Sequence, residues 1–364
     1  MSQHIIVGAH DISIYLGNVC NFDCSYCDRA YIKNTIGGQR IHQDDIEHIV
    51  SFLQSLITPD GTLPVKMISF HGGEPFIYVR LMDNILTEID RILPNNQLIY
   101  FIQTNGSLIL SNEWFIEKWG SRLTISISYD FLFQATNRTN YDIKSTVSLL
   151  KRFNVSSIQY QTVLPIHEPN IFGLDMIQDI IRTCNTTGVT HINLIPLRHI
   201  RGKDKFMVIV DSIDLNAFFL AFVKFIEILY VLGIYIVIDG HSSIIDKHYF
   251  SNHKQLILSP DGLIYPEYDF LEYKMVEAAI GNWKSTNTKT ITIHRENALQ
   301  EELLILPTCN TCEVKEQCGL KFLYHKFNTH PKGKCVEFYK RLNVIIHHTH
   351  KLQQRPTLLH SIGI

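Results

Sequence analysis

Cys20, Cys24 and Cys27 fall within eight positions of one another in "CNFDCSYCD", residues 20–28. Cysteine thiolates hold iron–sulfur clusters, one per iron in a four-iron cluster, so a set of three leaves one iron without a protein ligand. The competing reading is zinc, but structural zinc is closed by four ligands, and only His10 is near in sequence as a fourth. A second group lies far down the chain. Cys309, Cys312 and Cys318 have the spacing C-x2-C-x5-C, and Cys335 follows after sixteen intervening residues. Four thiols can close a tetrahedral site, so zinc competes with an iron–sulfur cluster there. Cys184, alone on a helical pattern, reads as a small buried apolar residue.

The rest of the 364 residues must position these thiols. The chain is 45% hydrophobic and 19% charged with a net charge of −2, ordinary for a globular protein. Near-neutral charge gives no electrostatic footprint for nucleic acid or a membrane surface. The first residues lack the basic and apolar regions of a signal peptide. The most apolar run, residues 217–239, carries Lys224, Glu227 and Gly233 and reads as a buried helix and a strand. A cytoplasmic protein is expected, with its cysteines committed to metal or redox chemistry.

From residue 12 to about 240, β-branched runs alternate with amphipathic stretches. Strands are expected at 12–17, 66–70, 97–103, 122–128, 157–163, 191–197 and 234–239. Helices are expected around 43–58, 78–93, 111–119, 141–153, 170–187 and 213–231. That alternation predicts βαβ units and a parallel sheet curled into a full or partial barrel, with working residues at the C-terminal strand ends. His71, Gln103, Gln161, Asn193, Asp239 and His241 fall near those ends. Beyond about 240 the pattern breaks, and "QLILSPDGLIYPEY" reads as a hairpin turning at Asp-Gly.

The chain resembles the radical S-adenosylmethionine (SAM) superfamily. In that family C-x3-C-x-φ-C binds a [4Fe–4S] cluster whose open iron chelates SAM and, by passing one electron, cleaves it to methionine and a 5′-deoxyadenosyl radical. The resemblance implies that Cys20, Cys24 and Cys27 hold this cluster, with Tyr26 against the adenine. "FHGGEP" supplies Gly72, Gly73, Glu74 and Pro75 as the motif for the SAM amino group. "QTNG" and "SISYD" supply Thr104, Asn105, Ser128 and Asp130 as SAM contacts, and Arg138 is a candidate for the SAM carboxylate. The implied fold is a partial (β/α)6 barrel over residues 1–245, followed by a small C-terminal auxiliary iron–sulfur domain over 246–364.

That tail resembles the SPASM/twitch type, which in its full form carries seven cysteines for two auxiliary clusters. Here Glu267 and Phe322 stand where the pattern has cysteine, and no cysteine lies upstream of Gly262 nearer than Cys184. Ligands of the inner cluster are thus missing together, while Cys309, Cys312, Cys318 and Cys335 remain for one auxiliary [4Fe–4S] cluster. Glu267 and Asp269 are candidates for a base or a substrate-binding pair, or are solvated hairpin acids. Sulfatase-maturing relatives carry a catalytic aspartate where this chain has Tyr268, which disfavours that activity.

Many relatives of this type crosslink or epimerise ribosomally made peptides, the first expectation for the substrate. Only 19 residues precede Cys20, so no appended leader-recognition domain is expected. Relatives with one auxiliary cluster oxidise or rearrange small molecules, the alternative, and a binding protein that keeps the fold is a third. An electron donor such as flavodoxin or ferredoxin is implied, with no nucleic acid and no membrane partner.

Overall fold

A computed structural model describes residues 11–27, 39–57, 63, 65–93, 98–164, 170–196, 214–238, 255–265, 271, 276, 279, 281–285 and 334–353. Seven strands run parallel in chain order: β1 (Asp11–Tyr15), β2 (Met67–His71), β3 (Ile99–Thr104), β4 (Leu123–Ser128), β5 (Ser157–Leu164), β6 (His191–Pro196) and β7 (Tyr235–Ile238). Each lies within two residues of its sequence expectation. Sequential parallel neighbours require crossovers, and helices supply them. In the described residues these are α1 (Ile46–Ser55), α2 (Val79–Ile92), α3 (Glu113–Trp119), α4 (Gln134–Asn137), α5 (Ile143–Arg152), α6 (Leu174–Thr187) and α7 (Leu215–Val231).

The two faces of the sheet differ because side chains alternate along each strand. One face is a row of aliphatic and aromatic residues in register, with Ile14 beside Phe70, Phe70 beside Ile102 and Ile102 beside Ile125, all buried. The other face is polar. Ser13 pairs with Ser69, Gln103 with Ser126 and Ser126 with Gln159. At the rim Ser128, Gln161 and Asn193 lie side by side across β4, β5 and β6. A sheet with one hydrophilic face encloses something other than a greasy core.

Local signals explain the helix ends. Met82, Ile85, Leu86 and Ile89 of α2 recur at helical spacing and are buried. The Asp142 carboxylate accepts from Ser145 N at 3.0 Å to cap α5, and Asp214 caps α7 by accepting from Asn216 N and Ala217 N. The apolar run is α7 and then β7. It buries Phe218, Phe219, Phe222, Phe225 and Leu229 while Lys224 and Glu227 face outward. Among the described residues no helix is long and apolar enough to cross a membrane.

Beyond residue 246 the chain rejoins the same sheet. Strand β8 (Gln255–Leu258) pairs in parallel with β1, and β9 (Leu263–Tyr265) and β10 (Gly281–Asn282) add antiparallel, giving ten strands among the described residues. The expected hairpin forms between β8 and β9, with Asp261 and Gly262 in its turn. Buried Trp283 donates its indole N–H to the Ser259 carbonyl at 2.8 Å, and Lys284 pairs with Asp45 ahead of α1 at 2.8 Å. The last described helix, α8 (Lys334–Gln353), packs on α7, where Arg341 donates to the Asn216 side-chain oxygen at 2.6 Å.

Candidate functional site

The loop after β1 and the loop after β2 run together. Leu16 N donates to the His71 carbonyl, Gly73 N to that of Gly17 at 2.7 Å and Glu74 N to that of Val19 at 2.9 Å. Side chains are excluded here. A Cβ on Gly73 would sit 1.8 Å from the Val19 oxygen, and one on Gly72, where φ is +148°, 2.6 Å from the Gly17 oxygen. The two glycines therefore let backbone meet backbone, which presses the cysteine loop onto β2.

Glu74 is wholly buried and faces the protein. Its Oε1 accepts from Phe76 N at 3.0 Å and from the Thr104 hydroxyl at 2.6 Å, and its Oε2 accepts from Asn105 N at 2.7 Å. One carboxylate thus ties the loop after β2 to the loop after β3. Pro75, also buried, opens the short 3-10 turn Pro75–Tyr78.

Cys20, Cys24 and Cys27 border one cavity of about 210 Å³, together with Phe22, Tyr26, His71, Gly72, Gly73, Gln103, Thr104, Asn105, Ser128 and Arg138. None of the three is in a disulfide; Cys24 is buried and the other two are half-buried. Cys27 N donates to the Cys24 carbonyl at 3.1 Å, a turn that brings both thiols onto the same wall. Two N–H groups approach the Cys20 sulfur, from Phe22 N at 3.4 Å and Asn105 Nδ2 at 3.9 Å.

Beside the cysteine loop, Asp130 gathers three elements. Its Oδ2 accepts from the Tyr26 phenol at 2.5 Å and from Arg138 Nε at 3.0 Å, and its Oδ1 accepts from Val163 N at 3.2 Å. The Arg138 guanidinium also lies over the Tyr26 ring, 5.2 Å from its centre. Burial and the Asp130 charge push the Tyr26 phenol far above its usual pKa, so it stays a proton donor.

Twelve of the sequence candidates thus border this cavity, His71 and Gln103 among them, while Glu74, Pro75 and Asp130 do not line it. Several participants escaped the sequence reading. Phe22, Asn21, Ser107, Asn137 and Gln134 all bear on the loops, and only Phe22, an aromatic between two cysteines, carries a local signal. Gln161 and Asn193, expected at the cavity from their places near the strand ends, lie side by side on the polar face and are not in its lining. Glu267, Tyr268, Asp269, Asp239, His241, Cys309, Cys312 and Cys318 lie outside the described residues; Cys335 belongs to α8, its side chain not described.

Residues 14–164 match the radical SAM superfamily. These residues carry a radical SAM domain. Their span covers every element from β1 to β5 that borders the cavity. The chain also superposes on native anSMEcpe with bound AdoMet, with a TM-score of 0.65 at 15% identity over 94% of this chain and 99% of that one. Superposition on Streptococcus suis SuiB bound to S-adenosylmethionine gives a TM-score of 0.57 at 16% identity, over 85% of this chain and 72% of that one. At such identities the likeness is one of fold. In sequence, the chain is 32% identical to the 7-carboxy-7-deazaguanine synthase of Methanothermobacter thermautotrophicus over 106 residues, 29% of this chain and 37% of that protein. The match thus spans little more than a third of that relative's length.

The radical SAM domain's thiols fit a cluster. Among the described residues no group of three Cys, His, Asp or Glu side chains is arranged to hold a single metal ion. Three thiols instead border one cavity, with N–H groups on one sulfur, a donor set that suits a multi-iron cluster. Burial pushes the Cys24 thiol up to about 11, against the pull of the Arg138 guanidinium. Iron ligation deprotonates a thiol, so loading would release that proton.

Proposed function

We propose that this chain is a cytoplasmic radical SAM enzyme that abstracts a hydrogen atom from a ribosomally made peptide, leading to a crosslink or to epimerisation. The observation that carries the reading is the convergence of three thiols, Cys20, Cys24 and Cys27, on one cavity. Thiols committed to a metal site rather than to disulfides suit a reducing compartment. When bound, the cluster would supply one electron to SAM, whose cleavage yields methionine and a hydrogen-abstracting 5′-deoxyadenosyl radical.

The chain's own residues bind, orient and shield. Cys20, Cys24 and Cys27 would hold the cluster. Tyr26, Gly72, Gly73, Thr104, Asn105, Ser128 and Arg138 border the space left for SAM, and Glu74, Pro75 and Asp130 hold them in place. The polar face formed by Gln103, Ser126, Gln159, Gln161 and Asn193 continues from this cavity along the sheet and suits a substrate rich in amide groups. Glu267 and Asp269, following β9, would act as base or substrate contacts. Cys309, Cys312, Cys318 and Cys335 would hold one auxiliary [4Fe–4S] cluster in a SPASM/twitch-like tail, and a flavodoxin or ferredoxin would deliver electrons.

Support for a peptide comes from the fold neighbours. The anSMEcpe structure also exists with a bound Cp18Cys peptide, and SuiB with its precursor peptide SuiA. One observation favours a small-molecule substrate instead, the 32% identity to the deazaguanine synthase. Anaerobic co-expression with short peptides encoded beside the gene, read by intact mass, tests the choice. A loss of hydrogens, or deuterium taken up from heavy water, that vanishes in Cys27→Ala supports the peptide. An unchanged mass without deuterium uptake moves the assignment to a small molecule.

A further inference from the structure

We infer that Asn105 is a positioning residue that, through Cys20, raises the reduction potential of the cluster; the inference rests on reading the three thiols as an iron–sulfur site. The Asn105 side chain is held in one orientation. Its Oδ1 accepts from Ser107 N at 3.0 Å and from the Ser107 hydroxyl at 2.7 Å. A carbonyl oxygen fixed by two donors turns the amide N–H groups the other way, and there Nδ2 meets Asn21 Oδ1 at 2.8 Å and the Cys20 sulfur at 3.9 Å.

Asn21 is fixed in turn, since its own Nδ2 donates to the Ser107 hydroxyl oxygen at 2.9 Å. Asn105, Ser107 and Asn21 therefore close a ring of side-chain hydrogen bonds beside the first cluster ligand. The Asn105 backbone N–H is taken by Glu74, and the residue is 6% exposed. Phe22 N, 3.4 Å from the same sulfur, adds a second donor that no substitution of a side chain removes.

The sign of the effect follows from electrostatics. Reduction adds negative charge to the cluster and its thiolates, and an N–H directed at sulfur stabilises that charge. Removing the donor lowers the potential. Replacing it with a carboxylate of the same shape lowers it further. Ser107 acts one step back, because losing its hydroxyl removes the shorter of the two bonds that hold Asn105 Oδ1 and loosens the amide's aim at sulfur.

The test uses the anaerobically reconstituted full chain, free of SAM, with the midpoint potential followed by the electron paramagnetic resonance signal of the reduced cluster. Iron and sulfide contents are measured first. We expect wild-type iron content in Asn105→Ala, Asn105→Asp and Ser107→Ala, with midpoints shifted negative, most in Asn105→Asp. A wild-type midpoint in an iron-loaded Asn105→Asp overturns the inference. Should Asn105→Asp lose its iron, Ser107→Ala decides, a negative shift sustaining the inference and an unchanged midpoint overturning it. A wild-type chain that assembles no cluster overturns the underlying site reading instead, a different result from a cluster whose potential ignores Asn105.

Discussion

The phenol of Tyr26, set between Cys24 and Cys27 in the chain, donates to the Asp130 carboxylate at 2.5 Å. The middle of the cysteine loop is thereby fastened to the end of β4, 104 residues away in sequence. Arg138 closes the arrangement. Its side chain is 10% exposed and that of Asp130 not at all, so each charge depends on the other.

Asp130→Ala leaves the Arg138 guanidinium buried without its partner, which costs on the order of 3 kcal/mol. Tyr26→Phe keeps the ring and loses a hydrogen bond to a charged acceptor, costing about 2 kcal/mol. Urea unfolding of the iron-free protein measures both. Adding Arg138→Leu to Asp130→Ala is expected to recover part of the loss, the sign of a coupled pair.

Gly73→Ala tests the contact between the two loops. Its Cβ would meet the Val19 oxygen at 1.8 Å, a clash with backbone that only displacement of the cysteine loop relieves. Iron bound after reconstitution is expected to fall to well under half of wild type. Circular dichroism should stay near that of wild type, because the glycine lies outside the strands.

Glu74→Gln preserves shape but replaces one acceptor oxygen with an NH2 group. Either the Thr104 hydroxyl or the Asn105 N–H then faces a donor, leaving buried groups unsatisfied at about 2 kcal/mol. Equilibrium unfolding gives the loss, and a weaker apparent affinity for SAM should accompany it as the loop after β3 shifts. An unchanged stability would show that the carboxylate's three bonds are dispensable.

The Asp45–Lys284 pair predicts a pH dependence. Burial raises the Asp45 carboxyl's pKa, but Lys284 and the His42 backbone N–H more than offset this and hold it below the usual 3.8. A depressed carboxylate contributes stability that is present above its unfolded value and is lost as pH falls through the folded one. Asp45→Asn is therefore expected to destabilise the protein by about 1 kcal/mol at pH 7, with the difference from wild type closing below about pH 4. Urea midpoints at pH 7, 5 and 3.5 trace that closure.

What the sequence conveyed here depends on how local each signal is. The seven parallel strands were legible because β-branched residues cluster within five or six positions. The cysteine spacing was legible because the motif is contiguous. Partnerships between separated loops were not. Nothing within "GGEP" reveals that Glu74 serves Thr104 and Asn105, 30 and 31 residues on. Likewise Asp130 looks like a ligand contact at a strand end until Tyr26 and Arg138 are seen on the same oxygen. Its geometry comes from three strands brought into register, which no short window of sequence holds.

Formation of 5′-deoxyadenosine measures most directly whether Cys20, Cys24 and Cys27 hold a cluster with an iron open to SAM. The anaerobically reconstituted chain would be incubated with SAM and dithionite and the products separated by chromatography. SAM-dependent 5′-deoxyadenosine from the wild type, lost in Cys27→Ala, is the predicted result. An iron-loaded wild type that leaves SAM intact under strong reductant would contradict the assignment and leave a binding protein that has kept the fold.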